Sequence, residues 1–342
     1  MIKSVQYLRA IAALMVVMHH VVIKGRQYDI PSLSWFHIGY YGVDLFFIIS
    51  AYIMCTTTEQ REVTFGRFIS ARCTRILPLY WLMTVFALAI FIVKPSVVNS
   101  SGGTTSVIAS FFLLPDGTRF LVNNGWTLSY EFLFYFIFGF GLFLSRHHKK
   151  PIIVAIILAL AAVGLSLHPS SPYLKFITNI ILVEFALGIL AFDILRKKPL
   201  SAPVALVMLA AGIGMLVWEN FNGSISTPLS RTLYAGLPML LVFLGLVSFE
   251  QRIQQFRSRL LNLLETMGDA SYSLYLVHGF ILSPCAMIAH KLHLTRYPLL
   301  FCLFLLLSAV ISGWLCYRYI ELPLNKRIKI TLAARKANAV SP

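Results

Sequence analysis

The sequence predicts an all-α, polytopic membrane protein of about ten transmembrane helices with both termini in the cytoplasm. Three observations carry this reading. Of the 342 residues, 58% are hydrophobic and 12% charged, with mean hydropathy +0.77, whereas a soluble domain is about a quarter charged. The apolar runs are about 18–23 residues long, the length a helix needs to cross roughly 30 Å of hydrocarbon. Of the 29 Lys and Arg residues, 21 fall at the termini and in alternate connections and 8 in the others. That asymmetry obeys the positive-inside rule and requires an even number of spans.

The same observations exclude a soluble globular enzyme, a disordered chain and a disulfide scaffold. Ten-residue alternating segments are missing, which excludes a membrane β-barrel. The net charge of +16 is accounted for by cytoplasmic loops, so no nucleic-acid partner is implied. Cys55, Cys73, Cys285, Cys302 and Cys316 lack CxxC spacing and mostly sit in apolar runs, so they argue neither for a zinc site nor for disulfides.

In order, the spans fall at about 5–23, 40–57, 76–93, 126–145, 151–168, 176–194, 201–218, 231–248, 271–290 and 298–319. The first has no small-residue cleavage site after it and is expected to be retained. Segments 62–75 and 251–266 place apolar residues at helical spacing among arginines, as helices lying flat on a membrane surface do. The polar connection 95–125 contains Val107–Leu114, a run too short to cross. Asn99-Ser-Ser101 and Asn222-Gly-Ser224 match a short glycosylation pattern that arises easily by chance. Residues 1–324 form one membrane domain and residues 325–342 a basic cytoplasmic tail.

Ionisable residues inside spans are costly and usually face a cavity. In the first span, Arg9 and His20 are eleven positions apart, which puts them on nearly one face about 16 Å apart, whereas His19 is turned away. Asp44 enters the second span at a depth expected to match that of His20, and a carboxylate beside an imidazole makes it a better base. Arg72 and Arg75, three apart before the third span, suit phosphate groups. Trp126 and Glu131 open the fourth span, and Tyr272, Tyr275 and His278 share a face of the ninth. Glu184, Asp193 and Arg231 are further charges without an assigned role. The pattern is polarised, with arginines inside and a His/Asp/Glu set in the outer half. A ligand with polyphosphate at one end and a reactive group at the other, such as acyl-coenzyme A, has the matching shape.

These residues resemble the membrane acyltransferase-3 family, the O-acetyltransferases of bacterial surface polysaccharides. The likeness rests on LRAIAALMVVMHH with Arg9 and His20, GYYGVDLFFIISAYIM around Asp44, RCTRILPLYW with Arg72 and Arg75, NNGWTLSYEFLFY around Trp126 and Glu131, and SYSLYLVH ending at His278. It runs from about residue 4 to Pro323. Ala51 departs from the family's usual Gly.

The resemblance implies an enzyme of the bacterial inner membrane that transfers an acyl group, typically acetyl, from cytosolic acyl-CoA to a hydroxyl of an extracytoplasmic polysaccharide or glycolipid. Acetyl-CoA would be a co-substrate rather than a bound cofactor. His20 would be the base and Asp44 its orienting partner; Arg9, Arg72 and Arg75 would hold the donor. Trp126, Glu131, Tyr272, Tyr275 and His278 would line the pore or the acceptor site. Direct transfer and an acyl-histidine route both remain open, as does homo-oligomerisation. The rival class is a proton-coupled transporter or flippase using the same buried charges as a relay; a structural export subunit would need no such groups.

Overall fold

The computed structural model describes residues 2–59, 62–98, 102–145, 148–223, 227–256 and 258–338. Arg61, Arg146 and Arg257, counted above, and parts of both glycosylation patterns (Asn99–Ser101, Ser224) lie outside them. Among the described residues all extended elements are helical, and ten are long and apolar enough to cross a membrane.

The first span, α1 (Lys3–Gln27), is an uninterrupted helix. Two 3-10 turns lead to α2 (Gly42–Thr58), and α3 spans Phe65–Val93. The segment expected to lie flat at 62–75 is mostly the start of α3. Its apolar face is taken up by protein instead of lipid headgroups, because Phe68 is buried and stacks on Phe138 at 5.3 Å. Short helices α4 (Pro95–Val98) and α5 (Val107–Phe112) precede α6 (Gly125–Leu144), and α7 covers Lys149–Leu167. The sixth span is broken into α8 (Pro172–Ile177) and α9 (Val183–Leu195) by a 3-10 turn, in which the Asn179 side chain accepts from the Ile181 backbone N–H.

Helix α10 (Ala202–Asn222) leads to α11 (Pro228–Arg231), which passes through a π-helical turn, Thr232–Gly236, into α12 (Leu237–Ser248). The amphipathic segment becomes α13 (Glu250–Gln255) and α14 (Arg259–Asp269). Glu250 accepts hydrogen bonds from the Lys3 and Ser4 backbone N–H groups at 2.9 and 2.8 Å, satisfying amides that a helix start leaves open. Burial pulls the Glu250 carboxyl upward, but these bonds and one from Gln254 outweigh it, leaving it below the ordinary Glu range. Helices α15 (Ser271–Lys291) and α16 (Pro298–Cys316) follow, and a second π turn, Tyr317–Glu321, continues into α17 (Leu322–Asn338). The boundary drawn at 324/325 therefore falls within a continuous helix.

The core is an aromatic column in which Phe47 stacks on Phe185 at 4.5 Å and Phe185 on Phe134 at 4.2 Å, joining α2, α9 and α6. Two glycines set the azimuth of α2. A Cβ at Gly42 would strike the Ala12 carbonyl of α1, and one at Gly188 of α9 would strike the Ile48 carbonyl. Small residues at such crossings let membrane helices approach closely enough to pack.

Candidate active site

Six of the expected site residues line one internal cavity of about 110 Å³: Arg9, Arg72, Arg75, Glu131, Tyr272 and Tyr275. The arginines come from the first turns of α1 and α3. The Arg9 guanidinium donates to Gln6 Oε1 at 3.1 Å, and Arg72 lies over the Phe68 ring at 5.7 Å. The Arg72 Nε is buried without a hydrogen-bond partner, so a donor is left for a ligand to use. Asp269, at the end of α14, is raised above the ordinary Asp range by burial, with Arg9 pulling the other way.

The cavity's carboxylate is Glu131. It accepts from Ser50 Oγ at 3.1 Å and from the Tyr135 hydroxyl. Ser50 and Tyr135 also line the cavity and were missed in the sequence, although Glu131 and Tyr135 are at i,i+4 spacing. Tyr275 pairs with Thr127 through hydroxyls 2.7 Å apart, and Tyr272 donates to the Ile76 carbonyl at 2.7 Å. Between these polar groups the wall is apolar, with Phe46, Ile49, Ile53 and Met54. Glu131 thus shares one chamber with the arginines, although it was grouped with the outer set.

Beyond Tyr275 stand two histidines. The rings of Tyr275 and His278 are 6.0 Å apart, and those of His278 and His20 are 4.8 Å apart. His20 Nδ1 lies 2.8 Å from the Val16 carbonyl and His278 Nδ1 3.1 Å from that of Leu274. A carbonyl accepts only, so in each contact Nδ1 carries the proton and donates, leaving Nε2 with its lone pair. The His278 Nε2 is buried without a partner. Trp126 is half-exposed, edge-on to Tyr130 at 6.1 Å, and stands apart from the cavity lining.

The expected pairing of Asp44 with His20 is not formed. Asp44 instead accepts two bonds from Arg231, Nε to Oδ1 at 3.0 Å and Nη2 to Oδ2 at 2.9 Å. The reason is rotational. Gly42 faces α1, and two residues further on a helix turns about 200°, so Asp44 faces away. It shares its side of α2 with Ile48 and Ala51, which meet Gly188 of α9. Glu184, one turn before Gly188, is fully buried beside Asp44 and Arg231, and its carboxylate lies against Gly236 of the π turn.

Ten spans, five of which line a chamber carrying three arginines and Glu131, define a polytopic membrane protein with a charged internal site. The chain belongs to the acyltransferase-3 family, whose sequence profile, described as an acyltransferase domain, matches residues 2–318, and is a multi-pass membrane acyltransferase. It is 32% identical over 303 residues to the exopolysaccharide production protein ExoZ of Rhizobium meliloti, covering 85% of this chain and 91% of that protein. It is 24% identical over 374 aligned positions to the peptidoglycan O-acetyltransferase OatA of Listeria monocytogenes, covering 95% of this chain and 56% of that protein. No solved structure matches the chain significantly.

Proposed function

We propose that this protein moves an acyl group, most simply acetyl, from cytosolic acyl-CoA to a hydroxyl of an extracytoplasmic polysaccharide or glycolipid in a bacterial inner membrane. The observation that carries the reading is the single chamber lined by Arg9, Arg72 and Arg75 and by Tyr275, with His278 and His20 in succession beyond Tyr275. The roles of its relatives, in exopolysaccharide production and peptidoglycan O-acetylation, support the acetyl group and the glycan acceptor.

Arg9, Arg72 and Arg75 hold the CoA phosphates through charge-assisted bonds. At about 110 Å³ the chamber is small beside ligand pockets of roughly 300–1,000 Å³. It suits the slender pantetheine arm, with the nucleotide left outside. His20, its Nδ1 proton engaged by Val16, offers Nε2 to the acceptor hydroxyl. The hydroxyl oxygen forms the new C–O bond, the thioester C–S bond breaks, and the proton taken by His20 returns to the leaving thiolate. Such base catalysis is typically worth 10²–10⁴-fold. The transporter reading draws less support, because Glu131 is engaged in the chamber by Ser50 and Tyr135 while Asp44 is held in a two-bond pair by Arg231 beside Glu184.

The deciding experiment compares surface glycans by NMR in cells with and without the protein. Ester-linked acyl signals should disappear without it and return with the wild-type gene; unchanged signals would overturn the assignment. The sidedness is tested by cysteine labelling. His148→Cys should react only from the cytoplasm and Gly102→Cys only from outside.

A further inference from the structure

A second cavity, of about 270 Å³, lies at the other end of α1. It is formed by the last turns of α1, the connection before α2 and the end of α10, with His19, Arg26, Phe36, Tyr40 and Glu219 among its walls. We infer that this cavity binds the sugar ring that receives the acyl group, a deepening that rests on the acyltransferase reading above.

The cavity is built rather than incidental. The Tyr41 hydroxyl donates to Glu219 Oε1 at 3.0 Å. Asn220 accepts from the His37 backbone N–H at 2.8 Å and donates to the Trp35 carbonyl at 2.8 Å, pinning the connection onto α10. The Tyr40 ring is fixed by the Arg231 guanidinium at 5.2 Å and the His19 ring at 5.6 Å. Its chemistry suits a pyranose: aromatic rings for the C–H faces, the Glu219 carboxylate to accept from hydroxyls, Arg26 to donate to them and His19 to donate or accept.

Its placement joins it to the reaction. The His19 ring, part of its wall, lies 5.3 Å from that of His20. A run of ring contacts from Tyr275, in the arginine-lined chamber's wall, through His278 links that chamber to the same imidazole. Two substrates held in two separate cavities therefore meet at His20. None of the five residues expected to line the pore or the acceptor site is in this second cavity.

The test uses purified full-length protein, acetyl-CoA and two acceptors prepared from cells lacking the protein: soluble oligosaccharides from the surface polysaccharide, and the lipid-linked sugar fraction. Wild-type protein acylates at least one of them, and the fraction used identifies the natural source. Arg26→Ala, Phe36→Ala and Glu219→Gln should each raise the acceptor KM, by roughly tenfold for Glu219→Gln. The acetyl-CoA KM and CoA binding should be unchanged, which also reports that the variants are folded. If wild-type protein acylates neither fraction, the acyltransferase reading itself fails. If it does acylate, and folded variants keep the parent acceptor KM, the second cavity is not the acceptor site and the enzyme assignment stands.

Discussion

Arg231 grips Asp44 with two parallel hydrogen bonds, on the side of α2 turned away from His20. The Asp44 side chain is wholly buried, so the pair belongs to the protein's framework. Breaking one partner of a buried pair typically costs about 3–5 kcal/mol, whereas replacing both can be nearly neutral. Asp44→Leu and Arg231→Met should each lower the melting temperature in detergent, and the double variant should regain much of the loss while still transferring acyl groups. A well-folded double variant without activity would return Asp44 to the chemistry.

His20→Ala should reduce kcat by roughly 10²–10⁴-fold, with acetyl-CoA binding retained. His19→Ala should keep turnover and raise the acceptor KM, because its ring belongs to the second cavity. Equal loss of kcat in both variants would remove His20 from the proposed role of base. The two measurements need only initial rates at varied acceptor.

Arg72→Ala and Arg75→Ala should weaken CoA binding and spare the acceptor. A charge-assisted bond is worth about 1.5–3 kcal/mol, or roughly 10–150-fold in Kd, and solvent at the chamber's end should hold the effect near the lower figure. Lysine replacements should recover part of it, since charge remains but the planar fork is gone. Calorimetry at two salt concentrations provides the check. Unchanged CoA affinity in the double alanine variant would leave these arginines as lipid contacts.

The cap on α1 gives a pH dependence of definite sign. The folded Glu250 carboxyl lies below the ordinary Glu value, so its stabilisation is fully present above about pH 4.3 and is lost as pH falls through the lowered value. Melting temperature should therefore drop on acidification below about pH 4.3 more steeply in the parent protein than in Glu250→Gln. Parallel curves for the two would mean that the cap contributes nothing measurable.

The number of spans and most of their centres were legible because hydrocarbon thickness fixes helix length. Six of the chamber's polar lining residues were legible as well, since a charge inside a span must face something polar, whereas Ser50 and Tyr135 were not. Rotation between helices was not. Depth can be counted along a helix, but the direction Asp44 faces depends on Gly42 meeting α1 and Gly188 meeting α2, contacts between distant parts of the chain. For the same reason Arg231 stood without a role in the sequence, 187 residues from its partner. The start of α3 was misplaced because an apolar stripe among arginines reads alike whether it meets headgroups or, as at Phe68, another helix. The second cavity escaped notice because three separate segments build it.

The 25 residues of α1 run without a proline or π turn, unlike α3 with Pro78, α15 with Pro284 and the span broken at Thr232–Gly236. A continuous helix is a ruler. It sets the separation between Arg9 and His20 at about 16 Å, and under the function proposed above it would select the length of the arm between a donor's anchor and its reactive carbon. One alanine inserted between Arg9 and His20 would lengthen that ruler by only about 1.5 Å but swing the imidazole through about 100°. Phase, more than distance, is what this helix holds constant.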